Sequence, residues 1–335
     1  MTKRHLVKDF LTSTRANIVC LQESKLQELH RSMWRSIGGG LLDSFEYIPA
    51  SGSAGGIIMA WDNSQVSGSL KHVGSFSLTI EFTNRVDNSV WLCTTVYGPN
   101  ARSLKSDFWN EIRFVRRLCP APWVICGDFN TVFSPKDKNK GFPNLGELAA
   151  SQSLIEELNL LDPPLHGRGY TWTNGQTDPL WIRLDRFLLS HTWPSIYPRT
   201  CQYALPRFGS DHSPICIEFG AHLSQPRNFR FEKSWYSNEH LGALIQDWWT
   251  EINPEGCGAF ILSKRLINLK IKLRRWASET FGSVKMHKKA LLLELSSLDS
   301  NSENRPLSDT ESQRISQLQL ELYSLLKQDK IYWKQ

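Results

Sequence analysis

Short, apolar, strand-like runs at residues 57–61, 77–82 and 90–96 are separated by turns rich in Gly, Ser and Asn. Several such pairs are joined by connections too short for a parallel crossover, so much of the sheet must be antiparallel. Further strand-like runs fall at 17–21 (NIVCL), 123–126, 170–173, 183–189 and 215–219. Helical patterns intervene. Residues 5–11 space Leu6, Phe10 and Leu11 helically, residues 104–118 place Phe108, Ile112, Val115 and Leu118 on one face, and 147–160 is amphipathic. This mixture predicts an α+β fold with helices outside the sheets.

Strands stop near Gly220. Gln225, Pro226 and Arg227 read as a linker, and the patterns at 263–300 and 308–333 are helical, divided by a polar, proline-terminated stretch at 300–306. Ile315, Leu318, Leu322 and Leu325 repeat at three-then-four spacing, which predicts an antiparallel helical hairpin; a single helix packed on the strand-bearing domain is the alternative. The expected parts are a first domain at 1–222, a linker with a short helix at 223–262, and a basic helical hairpin at 263–335. With 39 Lys and Arg against 33 Asp and Glu the net charge is +6, which permits a polyanionic partner without requiring one. The seven cysteines form no CxxC pair, and Cys20, Cys93, Cys126 and Cys216 lie inside apolar runs. They are expected to be small buried hydrophobes in a reducing compartment, neither a disulfide framework nor a zinc site. No window reaches the roughly 18 apolar residues of a membrane span, so a soluble, intracellular, non-secreted protein without a membrane partner is expected.

Several residues have the chemistry of phosphoester hydrolysis, which needs a metal on the phosphoryl oxygens, an aligner for water, and a donor for developing charge. Glu23 follows the run NIVCLQ as a hard oxygen ligand suited to Mg²⁺. In VICGDFN, Asp128 and Asn130 alternate about Phe129, so both can face one side while Phe129 enters the core; the same string serves equally as a turn. In GSDHSPI, Asp211 puts a carboxylate beside the imidazole of His212. Asp185 falls inside the apolar run RLDRFLLS and needs a partner, either His212 or a structural salt bridge to Arg183 or Arg186. Tyr97 in VYGPN can donate to phosphate, with Asn100 supporting the turn, although Tyr before Gly-Pro is also ordinary turn chemistry. Trp172 in YTWTN offers a face for stacking, or is simply core. The sequence contains no GxxxxGK[ST], GxGxxG or GxSxG string, so nucleotide-driven, redox and serine-hydrolase chemistry lack their parts.

In order, LQES, VYGPN, GDFN, YTWTN, RLDRFLLS and SDHSPI resemble the nuclease branch of the endonuclease/exonuclease/phosphatase superfamily, to which deoxyribonuclease I belongs. The resemblance covers about residues 3–220. It implies a four-layered α/β sandwich and Mg²⁺ (or Mn²⁺) held by Glu23 and Asp211. It further implies Asp128 on the attacking water, Asn130 and Tyr97 on phosphate, and His212 oriented by Asp185. Asn100, Thr171, Trp172, Arg186 and Ser210 are expected to contact substrate. GGIIMAW, LPRFGSDHSPI and residues 228–249 resemble, more narrowly, the endonuclease part of plant LINE-type retrotransposon polyproteins, in which a basic helical connector and a reverse transcriptase follow. DNA as substrate, a reverse transcriptase module in a longer relative, a monomer, and a nuclear or cytoplasmic location are the corresponding expectations. Relatives begin with a strand carrying an Asn that this chain starts after, so weak or absent activity is expected of it. The competing expectations are an inactive nucleic-acid-binding remnant, held by basic helices and a positive rim of Arg183, Arg186 and Arg207, and a phosphatase of the same superfamily.

Overall fold

A computed structural model describes residues 3–14, 16–38, 40–52, 55–118, 121–176, 178–207, 209–220, 231, 235 and 238–334. The linker expected at Gln225–Arg227 lies outside them. The chain divides into two compact units, one of residues 1–221 with 299–307 and one of residues 222–298 with 308–335.

In the first unit the elements run α1 (Lys3–Thr14), β1 (Ile18–Gln22), α2 (Arg31–Gly38), β2 (Ser44–Ile48), β3 (Ile57–Trp61), β4 (Val66–Val73), β5 (Ser77–Asn84), β6 (Val90–Tyr97), α3 (Lys105–Leu118) and β7 (Trp123–Asp128). They continue as α4 (Leu145–Glu157), β8 (Leu160–Leu161), β9 (Leu165–His166), β10 (Trp172–Thr173), β11 (Trp181–Ile182), β12 (Asp185–Ser190), α5 (Trp193–Ile196), β13 (Cys201–Ala204) and β14 (Ile215–Glu218). A six-stranded sheet runs β4-β5-β6-β7-β12-β8, and two three-stranded sheets run β1-β3-β2 and β14-β13-β9. All pairings in the six-stranded sheet are antiparallel except β6 with β7, whose connection carries α3 and is long enough for a crossover.

Side-chain alternation sorts these sheets into layers. Trp91 and Cys93 of β6 and Val124 and Cys126 of β7 face inward, meeting Ile57, Met59 and Trp61 of β3 and the half-buried Ile217 of β14. Their neighbours Leu92, Val96, Trp123 and Ile125 face the other way and bury Phe108, Ile112 and Val115 of α3 and Leu154 of α4. Ile58 and Ala60 turn outward from β3 onto Leu11 of α1 and Trp34 and Ile37 of α2. The result is helix, sheet, sheet, helix: the four-layered α+β sandwich expected from the sequence.

The amphipathic periodicities at 104–118 and 147–160 become α3 and α4, shifted by a few residues. The sequence reading missed α2, β2, β4 and β13, which carry mixed polar and apolar residues and owe their form to neighbours. In the second unit, α6 (Leu241–Thr250) buries Leu241 with Trp235 and Leu273, the last from α7 (Gly258–Asn304). The helix α8 (Asp309–Lys334) runs antiparallel to the end of α7, with Arg314 bidentate to Glu294 at 2.7 and 2.9 Å. No helix among the described residues is long and apolar enough to cross a membrane.

Candidate active site

The site gathers at one end of the sandwich, where β1, β6, β7 and β12 terminate or begin. The parallel register sets Tyr97 beside Asp128, and the antiparallel register sets Asp185 directly opposite Asp128. Two glycines allow this crowding. A Cβ on Gly98 would stand 2.2 Å from the Phe129 carbonyl, and one on Gly127, at φ +133°, would stand 2.1 Å from the Val96 carbonyl.

Beyond β7 the chain turns sharply. Asn130 takes φ +49°, donates its backbone N–H to Asp128 Oδ1 at 2.8 Å, and donates its side-chain amide to the Gly98 carbonyl at 2.8 Å. Phe129 is fully buried among Phe108 and Phe133, as the alternation predicts. Lys105, which sequence reading missed, fixes the turn from below. Its buried ammonium donates to the carbonyls of Phe129 and Asn130 and to Thr131 Oγ1 at 3.2, 2.8 and 2.6 Å. Burial pulls the Lys105 ammonium down to about 8, against the attraction of Glu147 and Asp128. No periodicity marks it, because it begins the otherwise amphipathic α3.

The loop carrying Asp211 and His212 is stitched to the YTWTN segment. Trp172 bridges His212, Ser213 N–H donates to the Thr171 carbonyl at 2.6 Å, and Thr173 N–H donates to the Asp211 carbonyl at 3.1 Å. The Trp172 indole N–H donates to Asp211 Oδ2 at 3.1 Å. Ser210 Oγ accepts from the His212 N–H at 3.1 Å. His212 Nδ1 lies 2.9 Å from Asp185 Oδ2. An ionised carboxylate only accepts, so Nδ1 carries a proton and Nε2 is left for the site. The choice left open for Asp185 is thus decided for His212. On the β1 side, the Tyr97 hydroxyl donates to Glu23, which is exposed at φ +51° just past the strand.

The electrostatics follow from this packing. Burial, then the carboxylate of Asp185, pushes Asp128 up to about 7, against His212, the Asn130 N–H and Lys105. Burial acts to lower His212, but the Asp185 hydrogen bond and the charges of Asp185, Asp128 and Asp211 outweigh it and raise the imidazole to about 9. Tyr97 is raised by burial and by Glu23, Asp128 and Asp211. Glu23, Asp128 and Asp211 therefore all act on one phenol. Glu23 and Asp211 are exposed oxygen donors close enough to that group to act on it, and carboxylates of this kind suit a hard divalent cation completed by water and substrate oxygens.

Three expectations are corrected. Arg186 does not face substrate: it is 1% exposed, its guanidinium paired to Asp137 and, at 2.5 Å, to Asp162, because an arginine pointing into the helix-side core needs carboxylates there. Thr171 is also buried, its hydroxyl accepting from the N–H groups of Leu184 and Asp185 at 3.0 Å to start β12. The positive rim is neutralised, with Arg183 on Asp162 at 2.7 Å and Arg207 on Asp299 at 3.0 Å. Asn100 is exposed beside the Gly98 turn, and Trp172 is half-buried, its indole N–H donated to Asp211.

Carboxylates, an imidazole and a phenol thus meet at one end of a four-layered sandwich, a fold shared with a family of phosphoester hydrolases. Residues 1–212 match the Endonuclease/Exonuclease/phosphatase family, and the chain belongs to it. Among solved structures, the AP endonuclease LMAP from Leishmania major is similar at TM-score 0.50 and 17% identity, over 64% of this chain and 81% of that one. The endonuclease domain of TRAS1, a telomere-specific non-LTR retrotransposon, matches at TM-score 0.48 and 12% identity, over 65% and 94%. A mannosyl-6-phosphatase from Bacteroides thetaiotaomicron matches at TM-score 0.44 and 15% identity, over 65% and 91%. No curated protein matches.

Proposed function

We propose that the chain is a divalent-metal-dependent DNA endonuclease of the retrotransposon type. The observation that carries this reading is the line of buried Asp128 and Asp185 and half-buried His212, with Tyr97 joined to Glu23 alongside it. Glu23 and Asp211 would hold Mg²⁺ or Mn²⁺, which when bound neutralises phosphoryl oxygens. Asp128, ionised, orients water for attack on phosphorus. His212, held protonated by Asp185, presents Nε2–H to a phosphoryl oxygen, where charge builds as the P–O bond to the leaving oxygen breaks. Asn130 and Tyr97 complete the donors, and the Trp172 face stacks a base or sugar.

The strings GGIIMAW, RLDRFLLS and LPRFGSDHSPI favour the retrotransposon-type nuclease over a phosphatase. A reverse transcriptase module in longer relatives, a nuclear place of action and a monomeric state accompany that reading. The test compares turnover on supercoiled plasmid with turnover on a small phosphate monoester, in Mg²⁺. Plasmid nicking with little monoester hydrolysis is expected; the reverse preference contradicts the reading and makes the chain a phosphatase.

A further inference from the structure

Directly beneath the carboxylates, three thiols meet. Among the described residues, the one group of three or more His, Cys, Asp or Glu side chains whose ligand atoms lie within 4.8 Å of one another is Cys20, Cys93 and Cys126. They come from β1, β6 and β7, two facing sheets, and all three are on the inward face of their strands. Cys126 Sγ is 3.6 Å from Cys20 Sγ, donating to it, and that contact pulls the Cys20 thiol well below its ordinary range.

We propose that these cysteines bind a soft, thiophilic cation of the Zn²⁺ or Cu⁺ kind. Metal–sulfur bonds of about 2.3 Å put sulfurs around a shared ion about 3.8–4.0 Å apart, so sulfurs with one pair at 3.6 Å and all within 4.8 Å of one another close on an ion with small shifts. Isolated buried cysteines serve as small hydrophobes, and that is what each run suggests when taken alone. Convergence of three sulfurs from strands distant in sequence is different, because packing alone needs no common point, whereas coordination does. Thiolates select soft cations and discriminate against Mg²⁺, so this site is chemically separate from the one at Glu23 and Asp211. With three thiolates, Zn²⁺ leaves one net negative charge in the apolar core and Cu⁺ leaves two, so charge favours zinc.

Access also fits. The strand β1 is an outer strand of its three-stranded sheet, and Cys20 is half-buried where Cys93 and Cys126 are buried. Binding replaces S–H bonds by metal–sulfur bonds, the protons leave to solvent, and no electrons are transferred. Cys20 lies three residues before Glu23 and Cys126 two before Asp128, so the ion braces the two sides of the active site. The proposal goes beyond the nuclease reading and is tested without turnover.

The full chain, purified reduced and stripped with chelator, is titrated with Zn²⁺, with Cd²⁺ as a spectroscopic probe for thiolate-to-metal charge transfer, and with Mg²⁺ as the hard control. One retained equivalent of Zn²⁺, the Cd²⁺ band, and a rise in Tm with Zn²⁺ but not with Mg²⁺ are expected. Cys20→Ser, at the half-buried position, keeps the fold by circular dichroism and loses at least tenfold in Zn²⁺ affinity; Cys257→Ser, at an exposed position, changes nothing. Cys93→Ser and Cys126→Ser give the same loss where they fold. Absence of retained metal in the wild type, or unchanged retention in folded Cys20→Ser, overturns the proposal.

Discussion

Asp128 and Asp185 stand directly opposite each other across the β7–β12 ladder, two carboxylates in register where like charges repel. Among the described residues only one has a cationic partner within hydrogen-bonding distance: Asp185 takes the His212 imidazole at 2.9 Å, leaving Asp128 to bear the repulsion. Activity that needs Asp128 ionised and His212 protonated should rise through about pH 7 and fall through about pH 9. Asp185→Asn should move both limbs to lower pH and reduce the maximum about a hundredfold or more. A pH–rate profile whose alkaline limb stays near 9 in Asp185→Asn contradicts the assignment.

The same proton has consequences for stability. Folded Asp128 keeps its proton to about pH 7 against an ordinary value of 3.8, so its ionisation removes stability as pH rises between those values. At pH 8, Asp128→Asn should therefore stabilise the fold by about 1–2 kcal/mol while abolishing turnover. Thermal unfolding at pH 5 and pH 8 checks it, since the gain should shrink at the lower pH. His212 runs the other way: its raised value contributes stability fully present below about 6.5 and lost as pH climbs through about 9.

Lys105→Met should destabilise by about 1–3 kcal/mol, because two carbonyls and a hydroxyl lose their shared buried donor. Chemical denaturation measures it. Activity should fall further than stability, since the carbonyls released belong to the turn that aims Asn130.

Asp299 is 2% exposed and is shared by Arg168 and Arg207, at 3.0 Å each. Those arginines in turn donate to Ser213 Oγ and to the Ser210 carbonyl, on either side of Asp211 and His212. Asp299→Ala should cost about 3–5 kcal/mol by leaving buried charge unpaired. In molecules that remain folded, kcat should drop about ten- to a hundredfold through misplacement of His212. Equal kcat in wild type and folded variant would show that the loop stands without this support.

Much of this was readable from residues alone where a local rule applied. Alternation about Phe129 sent that ring inward and kept Asp128 and Asn130 together. The need of a buried carboxylate for a partner narrowed Asp185 to two choices. What could not be read depends on partners distant in sequence. Arg186 looked like a substrate contact because nothing near it in sequence declares Asp137 and Asp162, 49 and 24 residues away, as its neighbours. Asp299, 131 residues beyond Arg168, sits in a stretch that reads as a polar helix end. Cys20, Cys93 and Cys126 each fit an apolar run, and only the stacking of two sheets brings their sulfurs together.

The most direct test is nicking of supercoiled plasmid in Mg²⁺ by the wild type and by Asp128→Ala, each with and without chelator. Mg²⁺-dependent conversion to the open circle by the wild type, reduced at least about a hundredfold in Asp128→Ala and absent with chelator, is the predicted result. Nicking that persists in chelator, or equal nicking by folded Asp128→Ala, would contradict the account.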